Sequence, residues 1–352
     1  MSGPASTSGS GTAVIRFGVI GVGRMGRHHA RLCTQVDGAD LAGVVDASEA
    51  RRKEMAEQYG CGAFTSVDEL IDAGVDACIV ATPTVTHRAI VEPLLARGVH
   101  CLVEKPLAPD AAEAKAIVEA SERGTAILQV GHVVRFDPVM VAIREIEGLR
   151  PRFVEVDRVS PMTFRSVDVG VVLDMMIHDL DVLIMLMGAE PTEIYANAVS
   201  VLGEAEDVCN ARLVFPPGAD GMSCTANVTA SRLALKTERK IRIISEDSYV
   251  SADFVERKGT VVRKAVNAQQ LAEIRERFKR GEDLSGLNYL ELVKVDPLPV
   301  GKGEPLRLQL ESFLATIRRG GHPFVDAEAG FAAVRTAQRI VDAARKAGSR
   351  MV

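Results

Sequence analysis

The sequence predicts two domains: an α/β domain with a doubly wound parallel sheet, and an α+β domain with an open, mainly antiparallel sheet. From residue 14 to 135, short apolar runs alternate with amphipathic stretches, as is typical of β–α–β units. The second half contains one long apolar helix and then strand-like runs in which polar and apolar residues alternate. Such alternation indicates a sheet with one packed face and one open face.

The first predicted domain, residues 14–135, contains five apolar runs that we interpret as parallel strands. These runs lack strict alternation, as expected for strands that are covered on both faces. The predicted strands are Val14–Ile20, Asp40–Val45, Ala77–Ala81, His100–Val103 and Ala126–Val130. The helices predicted between them are Met25–Val36, Ser48–Tyr59, Val85–Arg97 and Ala111–Arg123.

The second predicted domain spans residues 136–325, and a C-terminal helix occupies residues 326–352. The first helix predicted in the second domain is the apolar helix Val171–Met187, and a later helix covers residues 306–318. The predicted strands are Thr192–Leu202, Val208–Phe215, Met222–Ser231, Arg239–Ile244 and Tyr249–Val255. Residues 257–300 show no clear pattern beyond a short helix near residues 268–280.

The composition excludes several classes of protein. Of the 352 residues, 47% are hydrophobic and 25% are charged, which is ordinary for a folded protein. The net charge of −5 gives no indication of nucleic-acid binding, which needs a clustered excess of Lys and Arg. The most apolar later segment, residues 171–187, is interrupted by one His and three Asp residues, so we predict no membrane span.

The cysteines and the first residues indicate the cellular compartment. The six cysteines form no C-x-x-C pair and no zinc-site spacing, so we predict reduced thiols, no bound metal and a cytoplasmic protein. Residues 1–13 are rich in Ser, Gly, Ala and Thr and lack an apolar core. We therefore predict a disordered tail there and not a signal peptide.

A glycine motif lies between the first predicted strand and the first predicted helix. Gly21, Gly23 and Gly26 form G-x-G-x-x-G, with Arg24 and Met25 before the last glycine. In this context the first glycine permits a tight turn, the second lets the backbone approach a pyrophosphate, and the third lets helix and strand pack closely. The N-terminus of the helix also attracts phosphate. The motif therefore predicts a Rossmann-type dinucleotide site.

Asp46 ends the second predicted strand, 20 residues after Gly26. This position suits a carboxylate that binds the adenosine ribose hydroxyls. It favours NAD as the cofactor, because a carboxylate repels the 2′-phosphate of NADP. Arg51 and Arg52 are close enough in sequence to leave NADP open. As an alternative, Asp46 is a candidate N-cap for the helix that follows.

Four stretches, in this order, resemble the Gfo/Idh/MocA family of sugar and inositol dehydrogenases. They are Gly21–Gly26, Ala81-Thr82-Pro83-Thr84 with His87, Glu104-Lys105-Pro106, and Asp174-Met175-Met176-Ile177-His178. The resemblance implies an NAD-dependent enzyme that oxidises a sugar hydroxyl. It also implies that Thr82, Pro83, His87 and Glu104 lie beside the cofactor, although His87 is equally a candidate surface residue. The family often has a glycine pair before the Asp, whereas only Gly170 is present here.

Three residues are the candidate catalytic groups. In the family the Lys of E-K-P is catalytic and its bond to Pro is often cis, so the resemblance assigns Lys105 to stabilising negative charge on the reacting oxygen. Asp174 and His178 fall at i and i+4 of an apolar helix, where ionisable groups are costly without a partner or a task. We predict that His178 is the general base and that Asp174 orients the substrate or the imidazole. A satisfied core histidine is the alternative.

The second half is similar to one branch of this family, which oxidises the 3-hydroxyl of UDP-N-acetylglucosamine in lipid A synthesis. The similar stretches are residues 172–181, 210–213 and 227–232. A UDP-sugar substrate needs cations or N–H groups for its diphosphate, and Arg165 and Arg232 are candidates if they are not ordinary structural cations. Two other functions stay open: a dehydrogenase of inositol or a free sugar, and a non-catalytic NAD-binding regulator.

Two further expectations concern the second half of the chain and its junction. His132, at the crossover into the second domain, is a candidate substrate-binding residue, with a structural role as the alternative. An open-faced sheet commonly packs against a copy of itself in another subunit. We therefore expect a homodimer or a homotetramer.

Overall fold

The structure, a computed structural model, describes residues 13–163 and 169–349. The chain divides into two compact units. Among the described residues, the first unit contains those up to His132 and Leu306–Phe331, and the second contains those of Val133–Pro305 and those from Ala332 onwards. Residues 306–325, which the sequence analysis assigned to the second domain, thus lie in the first unit. The predicted tail, apart from Ala13, lies outside the described residues.

The first unit is built on a six-stranded sheet with the order β3-β2-β1-β4-β5-β6, in which every neighbouring pair is parallel. Its central strands are almost entirely buried, as their continuous apolar runs predict. The short strand β3 was not predicted. The strands are β1 (Ile15–Ile20), β2 (Ala39–Val45), β3 (Gly62–Phe64), β4 (Ala77–Val80), β5 (His100–Val103) and β6 (Leu128–Val130).

Helices follow most of these strands and begin at polar capping residues. Ser48, Ser66 and Asp110 each accept a hydrogen bond from a backbone N–H in the first turn of a helix. Four of these helices lie where helices were predicted, whereas the short helix Val67–Asp72 was not predicted. They are α1 (Gly26–Cys33), α2 (Glu49–Tyr59), α3 (Val67–Asp72), α4 (His87–Ala96) and α5 (Ala111–Glu122).

The second unit is built on an eight-stranded sheet with the order β14-β13-β12-β11-β7-β10-β9-β8. Among the described strands, β7 and β10 run parallel and the other neighbours are antiparallel. In β9, Cys209, Ala211 and Leu213 are buried whereas Asn210 and Arg212 are exposed, so one face packs and the other is open. The strands are β7 (Phe153–Val159), β8 (Glu193–Val199), β9 (Val208–Val214), β10 (Thr225–Ser231), β11 (Glu238–Ile244), β12 (Ser248–Asp253), β13 (Lys258–Lys264) and β14 (Val293–Pro297).

The helices of this unit include one departure from the predicted pattern. The predicted helix Val171–Met187 begins with a π-helical turn, Val172–Met176, and continues as an α-helix. The α-helices are α6 (Pro138–Arg144), α7 (Ile177–Met187), α8 (Ala268–Lys279) and α9 (Tyr289–Leu292).

Two helices end the chain: α10 (Pro305–Arg319) and α11 (Ala327–Lys346). From Leu306 onwards α10 belongs to the first unit, where the rings of Phe313 and Phe17 pack with centroids 6.2 Å apart. Periodicity predicted this helix but gave no sign of its partner, because the two aromatic residues lie far apart in sequence.

Candidate functional site

The loop after β1 has the geometry of a dinucleotide-binding turn. Gly21 has φ of +83°, and a Cβ there would lie 2.8 Å from the carbonyl oxygen of Ala81. A Cβ at Gly26 would lie 1.8 Å from the carbonyl oxygen of Gly21. A Cβ at Gly23 would meet no protein atom within 4 Å. The first and third glycines are therefore required by packing, whereas the second borders open space at the start of α1.

Asp46, directly after β2, is buried and holds this loop. Its Oδ2 accepts a hydrogen bond from the Val22 N–H at 2.9 Å. Its Oδ1 accepts from the Ser48 N–H at 2.8 Å and from Nη2 of Arg51 at 2.9 Å. Burial by itself raises the pKa of this carboxyl, but the hydrogen bonds from Ser48, Arg51 and Val22 bring it below its ordinary value.

The capping alternative for Asp46 is resolved by the structure. Ser48 is the N-cap of α2, and its Oγ accepts from the Arg51 N–H at 3.4 Å. Asp46 is therefore available for another role, although Arg51 holds its Oδ1. Arg52 donates through Nη1 to the main-chain oxygen of Asp46 at 2.8 Å, so two guanidinium groups lie at this strand end.

The loops after β4 and β5 are joined by His87. Its Nε2 lies 3.0 Å from the carbonyl oxygen of Thr82, and its Nδ1 lies 3.1 Å from that of Pro106. His87 is buried, so the alternative of a surface residue is wrong. Burial lowers the pKa of its imidazole. Thr82 and Pro83 are thereby tied to the loop that contains Lys105.

Glu104 and Lys105 follow the carboxyl end of β5, where ligands bind in doubly wound sheets. The Lys105–Pro106 peptide bond is cis, as is frequent in the family that the sequence resembles. The Lys105 N–H donates to Oε2 of Glu104 at 3.2 Å. A Cβ at Gly131 would lie 2.9 Å from Cα of Glu104, so only glycine allows this close approach.

His29, which was not predicted as a site residue, pairs with Glu104. Nε2 of His29 lies 2.8 Å from Oε1 of Glu104, and both residues are buried. Burial raises the pKa of Glu104, but the hydrogen bond with His29 and the charge of Lys105 bring it below its ordinary value. The available signal was spacing: His29 lies three residues after Gly26 and shares its helix face.

Asp174 and His178 lie in the π turn and in the first turn of α7, and both are half-buried. The Asp174 N–H donates to the carbonyl oxygen of Gly170 at 3.0 Å. π-helical turns are rare and frequently occur at functional sites. The partial exposure of both side chains leaves them accessible to a ligand.

Other acidic residues of α7 form structural ion pairs. Asp181 receives two hydrogen bonds from Arg135, at 2.6 and 2.8 Å. Asp179 receives two from Arg158, both at 2.7 Å. Since both pairs are buried, these carboxylates anchor the helix and are excluded from the candidate site.

The predicted substrate-binding residues are dispersed. His132 is fully buried, two residues after the end of β6, and remains a candidate. Arg165 lies outside the described residues. Arg232 is buried: its Nε donates to Oδ1 of Asp207 at 2.6 Å and its Nη1 to the carbonyl oxygen of Val169 at 2.8 Å. A diphosphate would have to displace these bonds, so we correct the assignment of Arg232 to a structural role.

Asp207 is the carboxylate that holds the Arg232 guanidinium in place. Its Oδ2 accepts from the N–H groups of Val201 at 2.7 Å and Leu202 at 2.6 Å, and from a third N–H, that of Gly203. Burial opposes ionisation, but these hydrogen bonds and that of Arg232 hold the pKa of Asp207 far below its ordinary value. Neither Asp207 nor its neighbour Glu206 was predicted as a functional residue, because their only signal was a pair of carboxylates before an apolar strand.

Arg232→Met is expected to lower the free energy of unfolding by about 3–5 kcal/mol, because it leaves the buried Asp207 charge without its cation. Urea denaturation measures this loss. Arg242→Met is the control: it removes a half-exposed pair with Glu155 on the same sheet and should cost about 1 kcal/mol or less. Equal stability of the two variants, with a raised KM for the UDP-sugar in Arg232→Met alone, would restore the substrate-binding assignment.

Within residues 13–163 and 169–349, no group of three His, Cys, Asp or Glu side chains is placed to hold a metal ion. In the same ranges, none of the helices combines the length and the apolar character needed to cross a membrane. The six cysteines are free thiols.

Comparison with known proteins agrees with this geometry. Residues 15–132 match the GFO/IDH/MocA description "Oxidoreductase family, NAD-binding Rossmann fold", and residues 142–250 match the C-terminal domain of that family. A UDP-N-acetylglucosamine 3-dehydrogenase from Acidithiobacillus ferrooxidans is 39% identical over 241 residues, which cover 68% of this chain and 74% of that protein. A myo-inositol 2-dehydrogenase from Thermotoga maritima is 32% identical over 313 residues, or 83% and 90% of the two chains.

A solved structure extends the similarity to the whole fold. The structure of the UDP-N-acetylglucosamine 3-dehydrogenase GnnA from Acidithiobacillus ferrooxidans has a TM-score of 0.83 at 32% identity, and the match covers 96% of this chain and 99% of that one. The predicted fold class, with its parallel and mainly antiparallel sheets, is confirmed. The chain therefore belongs to the GFO/IDH/MocA family of oxidoreductases, which act on CH–OH groups.

Proposed function

We propose that this protein is an NAD-dependent dehydrogenase that oxidises the 3-hydroxyl of UDP-N-acetylglucosamine to a 3-keto sugar. The observation that carries the proposal is the 39% identity over 241 residues with the Acidithiobacillus ferrooxidans enzyme of that name. The three candidate catalytic residues Lys105, Asp174 and His178 are all present, which argues against a regulator that binds NAD without turnover.

The loop after β1 fits NAD. The open space at Gly23, beside the N-terminus of α1, suits the pyrophosphate, which the N–H groups of Arg24, Met25 and Gly26 would bind. Asp46 would hold the adenosine ribose hydroxyls, in competition with Arg51, whose position leaves NADP open. When bound, the oxidised nicotinamide supplies the hydride acceptor.

The neighbouring loops would border the rest of the cofactor. We assign Thr82 and Pro83 to the ribose side, with His87 fixing their loop through its hydrogen bond to Thr82. Glu104 would position the nicotinamide half. Both loops follow carboxyl ends of parallel strands, where ligands bind in this kind of sheet.

Three side chains would perform the acid–base work. His178 would accept the proton of the substrate hydroxyl while the hydride leaves the same carbon. Asp174 would orient the substrate or the imidazole. Lys105 would donate a hydrogen bond to the reacting oxygen and stabilise the negative charge that develops there.

Gly23→Ala is expected to weaken NAD binding by about tenfold or more, because the new methyl group would occupy the pyrophosphate space. Stability should not change, since the methyl group meets no protein atom. Isothermal titration calorimetry measures the Kd for NAD, and urea denaturation measures stability. Gly301→Ala, at another open position, is the control. Unchanged NAD affinity in Gly23→Ala would show that the pyrophosphate does not bind at this loop.

The function is tested by following NADH or NADPH formation with UDP-N-acetylglucosamine, other UDP-sugars, glucose and myo-inositol. An aminotransferase in the assay removes the keto product and pulls the equilibrium. Turnover of UDP-N-acetylglucosamine, without turnover of the other sugars, supports the proposal. Turnover of inositol would favour the second candidate, which is supported by the 32% identity with the myo-inositol 2-dehydrogenase. NAD binding without any turnover would favour a regulator.

We also propose a homodimer or homotetramer in which the open sheet face packs against its copy. This face presents polar side chains already joined in pairs, such as Asn210 with Thr229 at 2.9 Å and Arg212 with Asn227 at 3.3 Å. Light scattering that shows a monomer would refute this assembly. The cytoplasmic location, which was predicted from the cysteines, and the part in lipid A synthesis, which the resemblance implies, stay predictions.

A further inference from the structure

The helical segment that contains Asp174 and His178 starts on Glu206, a buried residue of the loop between β8 and β9. The Val171 N–H donates to the main-chain oxygen of Glu206 at 3.0 Å, and the Val172 N–H donates to its Oε1 at 3.1 Å. The first N–H groups of a helix lack partners within the helix. Glu206 therefore satisfies two of them, and its negative charge suits that end of the helix dipole.

The Glu206 carboxylate also fills the space beside Gly170. A Cβ on residue 170 would lie 2.0 Å from Oε1 and 2.1 Å from Cδ of Glu206. Any side chain at this position would push the carboxylate away from the Val172 N–H. Gly170 and Glu206 are therefore a matched pair: because Gly170 has no Cβ, the Glu206 carboxylate can occupy that space.

The residues next to Glu206 fix its backbone. Asp207 is fixed by three N–H groups of its own loop and by Arg232. Arg232 in turn donates to the carbonyl oxygen of Val169, directly before Gly170. These contacts close a ring from Glu206 through Asp207, Arg232 and Val169 back to the start of the helix, so the backbone and the carboxylate are fixed together.

We propose that Glu206 is a positioning residue for the dehydrogenation, because it sets the start of the helix and thereby the places of Asp174 and His178. This inference rests on the proposed function, in which those two residues do the chemistry. Glu206 acts through the main chain, since its oxygens bond to the amides of Val171 and Val172. A displacement of about 1 Å at reacting groups costs about 100-fold in rate.

The test is a double-mutant cycle of Gly170→Ala and Glu206→Ala in the full-length protein. Each single variant should lower kcat by about 10- to 100-fold and leave the KM for NAD unchanged. In the double variant the methyl group enters the space that the carboxylate has left, so kcat should equal that of Glu206→Ala. Glu206→Gln keeps an oxygen acceptor and should recover kcat to within about fivefold of wild type. Losses that multiply in the double variant would overturn the proposal.

Glu190→Ala is the matched control, because Glu190 follows the other end of α7 and pairs with Arg335 at 3.0 Å. It should lower stability and keep kcat. A loss of kcat equal to that of Glu206→Ala at similar stability would reduce Glu206 to a general structural role.

A second measurement separates this inference from the proposed function. The ¹³C resonance of the His178 ring, assigned by its loss in His178→Gln, should move in Glu206→Ala and Gly170→Ala but not in Glu190→Ala. If the wild-type protein oxidises no sugar, the proposed function fails and this resonance still decides the positioning role. An unmoved signal in Glu206→Ala would overturn it.

Discussion

Lys105→Met is expected to lower kcat by about 1,000-fold and to leave the Kd for NAD close to that of the wild-type protein. Methionine has a similar length and apolar stem, but it cannot donate a hydrogen bond to the oxygen that loses its proton. Because the glycine loop and Asp46 are unchanged, cofactor binding should persist. Steady-state kinetics and calorimetric titration with NAD measure the two effects separately.

The control is Lys115→Met in α5. Lys115 is exposed, and its contact with Glu119, at 3.7 Å, is a surface pair of little energetic value. This variant should match the wild-type protein in kcat and in NAD affinity. If Lys105→Met kept full turnover, the catalytic assignment of Lys105 would fail, whereas a joint loss of NAD binding and turnover would make Lys105 a cofactor-binding residue.

His178→Gln is expected to lower kcat by about 10²- to 10⁴-fold, because the amide cannot accept a proton from the substrate hydroxyl. A protonated imidazole cannot accept that proton either. The kcat/KM of the wild-type protein should therefore fall as the pH falls. The residual kcat/KM of His178→Gln should not show this fall, because the variant has no imidazole at residue 178. Kinetics measured across a pH series test both statements.

His322→Gln provides the comparison, since His322 is exposed and lies outside the candidate site. It should leave both kcat and the pH profile unchanged. The same pH profile in His178→Gln and in the wild-type protein would show that another group accepts the proton. His178 would then not be the general base.

The elements that the sequence predicted correctly are those with a local cause. The apolar runs of β1, β4 and β5 indicated strands covered on both faces, and the structure buries them in this way. Gly21 was assigned to a tight turn and Gly26 to close packing of helix and strand, and a Cβ at either one would clash. The predicted helix over residues 171–187 is present, but the π turn at its start was not visible in an α-helical period.

The assignments that failed or were missed depend on partners distant in sequence. Arg232 was predicted to bind a diphosphate, but the fold places Asp207, 25 residues away, against it at the neighbouring strand end. His29 gained its importance from Glu104, 75 residues away. Residues 257–300 contain β13 and β14, whose pairing at the sheet edge no local pattern showed.

By itself, the sequence determined the fold class, the position of the glycine loop, the family and the candidate catalytic residues. Backbone freedom at glycine and the period of apolar residues act over a few positions, so they are visible in the chain as written. Only the tertiary structure decided which charges are already satisfied and which residue supports the start of the helix with Asp174 and His178. The physical reason is that a buried ion pair or helix cap depends on which strands and loops become neighbours, and that choice is made by the packing of the whole unit.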